Sequence, residues 1–206
     1  PDGYHCYYND AERKGYSGTA LYAMQKPSAI EVKVGWEPVD SEGRYLRADF
    51  DGISVISLYV PSGSSNDDAQ ARKDVFMDRF TPHMAELLKE NREFIICADW
   101  NTCHQNIDLK NWRSNQKNSG FMPHEREWLT KLYEKQGWVD VFRQMTTEPH
   151  FYTWWSNRGQ AWANNTGWRL DYMLVSPGLS GTGTSFAIYR DERFSDHAPV
   201  TIDFNL

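Results

Sequence analysis

The sequence has few cysteines, no long apolar run and no internal repeat. Its 3 cysteines are an odd number without the close spacing of metal ligands, which argues against a disulfide framework and indicates a reducing compartment. No run approaches about 18 apolar residues, so we expect no membrane-spanning helix and no membrane partner. Neither repeats nor low-complexity linkers divide the chain, which favours one domain over residues 1–206. A signal peptide is also absent, but the chain begins at Pro1 rather than Met, so an upstream targeting segment stays open.

Positive charge is also in short supply. Lysine and arginine total 22 against 28 acidic residues, which gives a formal net charge of −6. This balance disfavours a nucleic-acid partner, because phosphates attract a basic surface. One basic face is nevertheless enough for such a partner, and carboxylates that hold a cation add to the negative total. Aromatic residues are plentiful at 15%, which indicates either a core of large rings or a surface that stacks on flat groups.

Short runs that alternate with period two predict mostly strands. Asp51-Gly52 stands between two such runs, which is typical of a hairpin whose two turn residues have positive φ. Amphipathic spacing predicts helices over 68–90, where Pro82 should bend or split the helix, and over 123–136, which Gly137 ends. The predicted strands cover 18–24, 30–34, 45–50, 53–60, 93–98, 170–175 and 200–204. This mixture indicates packed sheets covered by helices, with functional residues on the connecting loops.

Polar residues suited to phosphodiester hydrolysis stand at the ends of predicted strands. Such a reaction needs an activated water, neutralised charge on the phosphate oxygens and a stabilised leaving oxygen. Asp99 and Asn101 follow the strand 93–98, and on an extended chain their side chains point the same way. An ordinary Asx turn at the strand end is an equal alternative. Tyr59 ends another strand, where a half-buried structural tyrosine is the commoner outcome.

A carboxylate and a histidine flank the last two predicted strands. Asp171 opens the strand after Arg169, and an ion pair between these two residues is the structural alternative to a functional role. Asp196 and His197 precede the final strand, where a solvated loop histidine would be the ordinary outcome. Adjacent residues cannot easily orient each other, so we expect Asp171 to fix the His197 tautomer and Asp196 to remain available to a metal.

Six strings occur in one order along the chain. They are Tyr59-Val60-Pro61, Asp99-Trp100-Asn101, Asn118-Ser119-Gly120-Phe121, Glu125-Arg126, Trp168-Arg169-Leu170-Asp171-Tyr172 and Ser195-Asp196-His197-Ala198-Pro199. The set resembles the exonuclease III family of abasic-site (AP) endonucleases, within the endonuclease/exonuclease/phosphatase superfamily, from Gly15 to the C-terminus. The Ser-Asp-His string alone is shared across the superfamily, whereas the Trp-Arg-Leu-Asp and Asn-Ser-Gly-Phe strings point to its DNA-repair branch.

The resemblance implies an α/β fold, a four-layer sandwich in which two mixed, mainly antiparallel sheets pack face to face with helices outside. It also implies a hydrolase that uses Mg²⁺, with Mn²⁺ as a substitute, to incise double-stranded DNA on the 5′ side of abasic sites. Exonuclease activity in the 3′–5′ direction or trimming of 3′ ends would accompany incision. The enzyme would act as a monomer in a bacterial-type cytoplasm, in association with the nucleoid.

The resemblance also assigns residue roles. Asp99, helped by Asn101, would position the attacking water, while Tyr59 and His197 would contact the scissile phosphate and Asp171 would hold His197. The metal ligands would be Asp196, Asp99 and Asn101. An extruded sugar without its base would enter a small apolar pocket, with phosphate contacts beside it from the basic, amide-rich stretch 110–118 and the loop that follows Trp155. These substrate-binding residues would be Trp154, Trp168, Leu170, Asn118, Lys117 and Arg158, against the alternatives of buried core rings and solvated loops.

Two family features have no counterpart in the sequence. Family members begin with a strand that carries an asparagine, followed by a Gln-Glu pair whose glutamate is a main metal ligand, and neither precedes Gly15. We therefore expect a single domain without the N-terminal strand and helix, with weak Mg²⁺ affinity and little activity unless an upstream segment completes it. The competing functions are a catalytically inactive nucleic-acid-binding domain of the same fold and a related phosphoesterase that acts on lipid or RNA.

Overall fold

A computed structural model describes all of residues 1–206, and it has a mixed α/β fold built around a six-stranded sheet. The strands are β1 (His5–Asn9), β2 (Thr19–Ala23), β3 (Ala29–Glu31), β4 (Tyr45–Asp49), β5 (Ile53–Tyr59), β6 (Glu93–Asp99), β7 (Val139–Asp140), β8 (Asp171–Val175), β9 (Gly183–Ile188) and β10 (Val200–Phe204). The helices are α1 (Asp67–Leu87), α2 (Trp112–Asn115), α3 (Pro123–Lys131) and α4 (Val141–Met145).

The six-stranded sheet has the order β3-β4-β5-β6-β8-β7. The predicted hairpin is confirmed, because β4 and β5 pair antiparallel with Tyr45 opposite Leu58. Its turn differs from the prediction: Gly52 has a φ of 70°, whereas Asp51 does not adopt positive φ. Strand β6 joins β5 in parallel after the long α1 crossover, and β8 pairs antiparallel with β6.

Helix α1 begins where the Asn66 side chain accepts a hydrogen bond from the Ala69 backbone at 2.8 Å. It continues through Pro82, so of the predicted bend or split the split is wrong. Pro82 cannot donate to the carbonyl of Asp78, but Asp78 is exposed and solvent can hydrate that oxygen. The second predicted helix is confirmed as α3 followed by a π-helical turn over Leu132–Gln136, and Gly137, with a φ of 89°, ends it.

The sheet buries apolar side chains on both faces. On one face Ile56, Leu58 and Ile96 belong to a 20-residue core cluster to which helices α1 and α3 contribute. On the other face Leu46 and Ala48 pack against Leu21 of β2, in a separate cluster beneath the β1–β2 hairpin. Ile202 and Phe204 of β10 pack against a third cluster, which includes Ile95 of β6 and Val175 of β8.

The number of sheets differs from the expected two. Strands β1 and β2 form one two-stranded sheet and β9 and β10 form another, so three sheets are present. Each hairpin packs on the central sheet without pairing to the other hairpin. The predicted strand over 30–34 is also shorter than expected and ends at Glu31. None of the helices has the length and apolar character needed to cross a bilayer.

Candidate active site

Strand register brings three of the predicted residues to one edge of the central sheet. Asp99 at the end of β6 lies directly opposite Asp171 at the start of β8. Tyr59 at the end of β5 is the parallel partner of Asp99 on the other side. The side chains of residues far apart in sequence therefore converge because neighbouring strands end together.

The backbone of residues 153–155 ties two further loops to this edge. Trp154 forms isolated bridges with both Trp168 and His197. The Trp154 amide donates to the Trp168 carbonyl at 2.9 Å, and the Ala198 amide donates to the Thr153 carbonyl at 2.8 Å. This short segment holds the loop that carries His197 against the start of β8.

His197 and Asp171 make the contact that the sequence predicts. His197 Nδ1 lies 2.9 Å from Asp171 Oδ2. The hydroxyl of Thr153 donates to the same carboxylate oxygen at 2.6 Å and accepts from the Asp171 amide at 2.9 Å. Since a carboxylate only accepts, Nδ1 carries the proton of this bond, and Nε2 is the nitrogen that remains for a ligand in the cleft.

The alternative partner for Asp171 is excluded. Arg169 is buried and points away from the site, with Nε 2.8 Å from Asp108 and Nη2 2.7 Å from Asp140. Arg143 also contacts Asp108, at 2.7 Å. Arg169 therefore fixes the start of β8 through Asp108 and Asp140, and the carboxylate of Asp171 remains available to bind His197.

Burial and mutual charge shift the pKa of both central groups. Burial raises the pKa of Asp99 to about 7, the negative charge of Asp171 adds to this rise, and His197 opposes it. Burial alone would lower the pKa of His197, but the hydrogen bond and charge of Asp171 outweigh it and raise that pKa to about 9. At neutral pH the site therefore pairs a partly ionised carboxyl group with an imidazolium, which suits a general base beside a donor to phosphate.

Asn101 is bound to Asp99. Its backbone amide donates to Asp99 Oδ1 at 2.9 Å and its side-chain amide to Asp99 Oδ2 at 3.0 Å. The side chain also donates to the Val60 carbonyl at 2.8 Å. The Asx turn that was the structural alternative is thus present, and it orients the carboxylate of Asp99 within the site.

A cleft of about 730 Å³ opens above these groups. This volume is in the range of ligand sites. Asp171 lies outside its lining and contributes through His197. The predicted residues that line the cleft are Tyr59, Asp99, Asn101, Lys117, Asn118, Trp154, Arg158, Trp168, Leu170, Asp196 and His197.

The aromatic residues divide between cleft and core. Trp154 and Trp168 are half-buried in the cleft wall and meet edge to face with ring centroids 6.4 Å apart. The Trp154 indole donates to Asp196 Oδ2 at 3.0 Å. Trp155, by contrast, is fully buried, and Arg190 stacks on its ring at 4.8 Å. Only part of the tryptophan-rich segment is therefore available to a ligand.

Asp99, Asp171 and His197 form a cluster of metal-type donors at the cleft floor, and one ligand atom from each lies within 4.8 Å of the others. A histidine that binds a metal must be neutral, whereas His197 bonds Asp171 through Nδ1 and has a pKa raised to about 9. The carboxylate of Asp99 is therefore the member of the cluster that fits Mg²⁺, which prefers oxygen ligands. Asp196 is not part of this cluster, and its assignment to a metal stays a prediction.

A family model described as the endonuclease/exonuclease/phosphatase family matches residues 1–197. The chain belongs to this family. The Exodeoxyribonuclease of Bacillus subtilis (strain 168) is 36% identical over 207 residues, and the alignment covers 100% of the chain and 81% of that relative. The resemblance to exonuclease III-type enzymes is therefore confirmed along the whole chain.

Two solved structures have the same overall fold as this chain. An AP endonuclease from Archaeoglobus fulgidus superposes with a TM-score of 0.88 at 26% identity, over 99% of this chain and 80% of that one. A variant of the 3′ phosphatase NExo from Neisseria, bound to product DNA hairpin, superposes with a TM-score of 0.90 at 25% identity, over the same shares. The mixed α/β fold with its six-stranded sheet is the fold of these nucleases.

The structure also adds residues of this family member that the sequence patterns did not single out. Residues 62–67 and Gln70 also line the cleft. Thr153 holds Asp171, but nothing in an aromatic-rich segment marks one threonine as important. Lys73 and Glu125 form a buried pair behind Asn101, and the only sequence signal was the Glu125-Arg126 string. Burial lowers the pKa of Lys73, while the charge of Glu125 acts in the opposite direction.

Proposed function

We propose that the protein is a DNA-repair phosphodiesterase that incises the backbone 5′ to abasic sites and also trims or degrades 3′ ends. One observation carries the proposal: Asp99, Tyr59 and the Asp171–His197 pair converge below a cleft with an aromatic wall. A carboxylate next to a charged imidazole supplies a base for water and a donor for phosphate. The names of similar proteins, an exodeoxyribonuclease and an AP endonuclease, support the same chemistry.

In the proposed mechanism Asp99 accepts a proton from the attacking water, and Asn101 holds its carboxylate in place. His197 donates from Nε2 to a non-bridging phosphate oxygen, and Asp171 stabilises the imidazolium through Nδ1. The water oxygen bonds to phosphorus as the P–O3′ bond breaks, and the leaving 3′ oxygen takes up a proton from solvent. Tyr59 contacts the same phosphate group. Mg²⁺, or Mn²⁺ in its place, would be held by Asp99, Asn101 and Asp196, and it would supply positive charge that a phosphodiester transition state needs.

Substrate selection follows from the shape of the cleft wall. Extrusion of a nucleotide from the duplex is easiest when its base is already missing. Trp154, Trp168 and Leu170 offer an apolar surface that accepts a bare sugar and excludes a sugar that carries a base. Lys117, Asn118 and Arg158 line the cleft. In this proposal they contact backbone phosphates, which set register without reading sequence.

The proposal also includes the location and the oligomeric state of the enzyme. We propose that it acts as a monomer on nucleoid DNA in a bacterial-type cytoplasm. Its three free cysteines suit a reducing compartment. The two hairpins on the open face of the central sheet would act together as the second sheet of a four-layer sandwich.

A nicking assay tests the proposal. The full-length protein is incubated with a 5′-labelled duplex that carries one abasic site, once with Mg²⁺ and once with EDTA, beside an undamaged duplex. We expect a single cut on the 5′ side of the lesion that requires the metal ion. His197→Ala should remove most cutting while circular dichroism and duplex binding stay unchanged.

Two other outcomes would favour the competing functions. Binding of abasic DNA by the full-length protein without any cutting would identify an inactive nucleic-acid-binding domain. Hydrolysis of RNA or of a lipid phosphodiester without preference for the abasic duplex would identify a related phosphoesterase. Either outcome would overturn the repair function.

A further inference from the structure

A buried ion pair joins helices α1 and α3 behind the cleft. Lys73 on α1 and Glu125 on α3 are both 0% exposed, and Lys73 Nζ lies 2.5 Å from Glu125 Oε1. Removing two opposite charges from water is unfavourable, and apolar side chains of the same volume commonly serve stability as well or better. The presence of this ion pair is therefore better explained by the other groups that Lys73 and Glu125 contact.

Lys73 contacts the backbone of the site. Its Nζ donates to the Asn101 carbonyl at 2.7 Å. Asn101 has a φ of 48°, in the left-handed region that asparagine adopts more readily than most residues but that is still less favourable than the right-handed region, so contacts from the surroundings help to hold it there. The conformation matters for the site, because the Asn101 backbone and side-chain amides both donate to Asp99.

Glu125 holds the turn over residues 118–122, which lies next to the Asn101 carbonyl. Its Oε2 accepts from the Gly120 amide at 2.7 Å and from the Met122 amide at 2.9 Å. Gly120 has a φ of 90°, and a Cβ at that position would stand 3.0 Å from the Asn101 carbonyl oxygen. The Asn-Ser-Gly-Phe turn is thus pressed against Asn101 by one oxygen of Glu125, while the other oxygen holds Lys73.

We propose that Lys73 and Glu125 are positioning residues for hydrolysis, an inference that rests on the proposed function. Lys73 holds the Asn101 carbonyl from one side and Glu125 closes the glycine turn on the other. Together they keep Asn101 left-handed, and Asn101 in turn orients the carboxylate of Asp99. Neither member of the pair lines the cleft, so they act through Asn101 and not on the substrate.

Two double variants separate positioning from stability. Glu125→Gln keeps an oxygen for the Gly120 and Met122 amides, and its amino group can donate to the Ser119 hydroxyl, which lies 3.4 Å from Glu125 Oε1. Gln70 Nε2, which lies 3.3 Å from the same oxygen, keeps its bond to Asp74. In that background Lys73→Met removes the donor to Asn101, whereas Lys73→Gln retains a donor in a side chain as long as methionine and one atom shorter than lysine. Both double variants are neutral and should melt within a few degrees of each other.

The expected result is a split between kcat and KM. We expect the Met variant to lose about tenfold or more in kcat for abasic-duplex nicking, with KM changed by less than about threefold, because small misplacements of catalytic groups strongly reduce rates. The Gln variant should recover most of that loss. Equal kcat values for the two folded variants, or a loss confined to KM, would overturn the inference.

A structural measurement does not depend on activity. Backbone chemical shifts or a crystal structure of the Met variant should show that Asn101 has left positive φ and released Asp99; retention of both features would overturn the inference. If the wild-type protein does not nick DNA, the proposed function fails, and the Asn101 conformation still tests positioning. If neither double variant folds, Lys73→Arg keeps the charge but displaces the donor; we expect a lower kcat, and an unchanged kcat would overturn the inference.

Discussion

Replacing Asp171 by Asn tests whether a carboxylate controls the protonation of His197. The substitution keeps the size of the side chain and its bond from Thr153 while it removes the charge next to Nδ1. Burial then acts on the imidazole with little opposition, because Asp99 and Asp196 are the remaining groups that raise its pKa. We expect the pKa of His197 to fall from about 9 to its ordinary value of 6.5 or below.

The shift has a calculable consequence for the charged form. At about pH 7.5 the imidazole of the wild-type protein is more than roughly nine-tenths protonated, whereas a group with the ordinary pKa is roughly one-tenth protonated. If the imidazolium is the donor to phosphate, nicking at that pH falls at least about tenfold. The charge of Asp171 also raises the pKa of Asp99, so that pKa falls in the variant too. The optimum pH for nicking therefore moves in the acidic direction.

The assay combines two measurements. Histidine ring signals of the EDTA-treated protein are titrated by NMR, and His197→Ala identifies the relevant signal among the 6 histidines. The rate of nicking is then measured against pH with Mg²⁺ present. Asp191→Asn is the matched control, because it makes the same charge change at an exposed position of the loop between β9 and β10 that also carries His197. An unchanged pKa of His197, or a pH optimum that stays in place, would refute the role assigned to Asp171.

Three further predictions concern Asp99 in the site, Trp168 in the cleft lining and the buried Asp108 behind the site. Asp99→Asn should abolish nicking while duplex affinity, measured by gel shift, changes less than about threefold. Trp168→Ala should weaken binding of abasic duplex by about 1–2 kcal/mol, because the bare sugar loses an apolar contact, and leave binding of undamaged duplex unchanged in the same titration. Burial raises the pKa of Asp108, but Arg169 and Arg143 outweigh burial and lower that pKa to about 2. The ionised Asp108 therefore contributes about 2 kcal/mol to the free energy of unfolding. This contribution is fully present above pH 3.8 and is lost as pH falls through 2. Urea unfolding of Asp108→Asn at neutral pH should show a loss of about 3–5 kcal/mol.

Tyr59, Asp99 and Asp171 could be placed at strand termini from the sequence, because strong apolar runs mark where β5 and β6 end and where β8 begins. The pairing of His197 with Asp171 could also be predicted, since a catalytic imidazole needs an orienting carboxylate and its sequence neighbour cannot supply one. The division of the strands into three sheets could not be predicted from the sequence. Pairing depends on contacts between distant segments, and β7 and β9 are too short or too weakly alternating to be recognised alone.

The supporting residues were hidden for a different reason. Lys73 sits on an amphipathic helix, where a lysine is ordinarily a surface residue, and its partner Glu125 is 52 positions away. Thr153 makes its contacts through a hydroxyl that any strand threonine carries. A pattern in the sequence reports the type of residue and its local spacing, and these residues gain their importance only from what the fold places beside them.

The backbone bridges of Trp154 to Trp168 and His197 also bear on how this scaffold can diversify. Main-chain bonds hold the wall and the histidine loop together, so the positions of His197 and Asp171 do not depend on which ring occupies the wall. Mutation can therefore exchange the side chain at position 168 and, under the proposed function, alter the lesion accepted while His197 and Asp171 stay in place; position 154 is less free, because its indole also holds Asp196. A lineage can explore new substrates in small steps, each of which leaves a working catalyst.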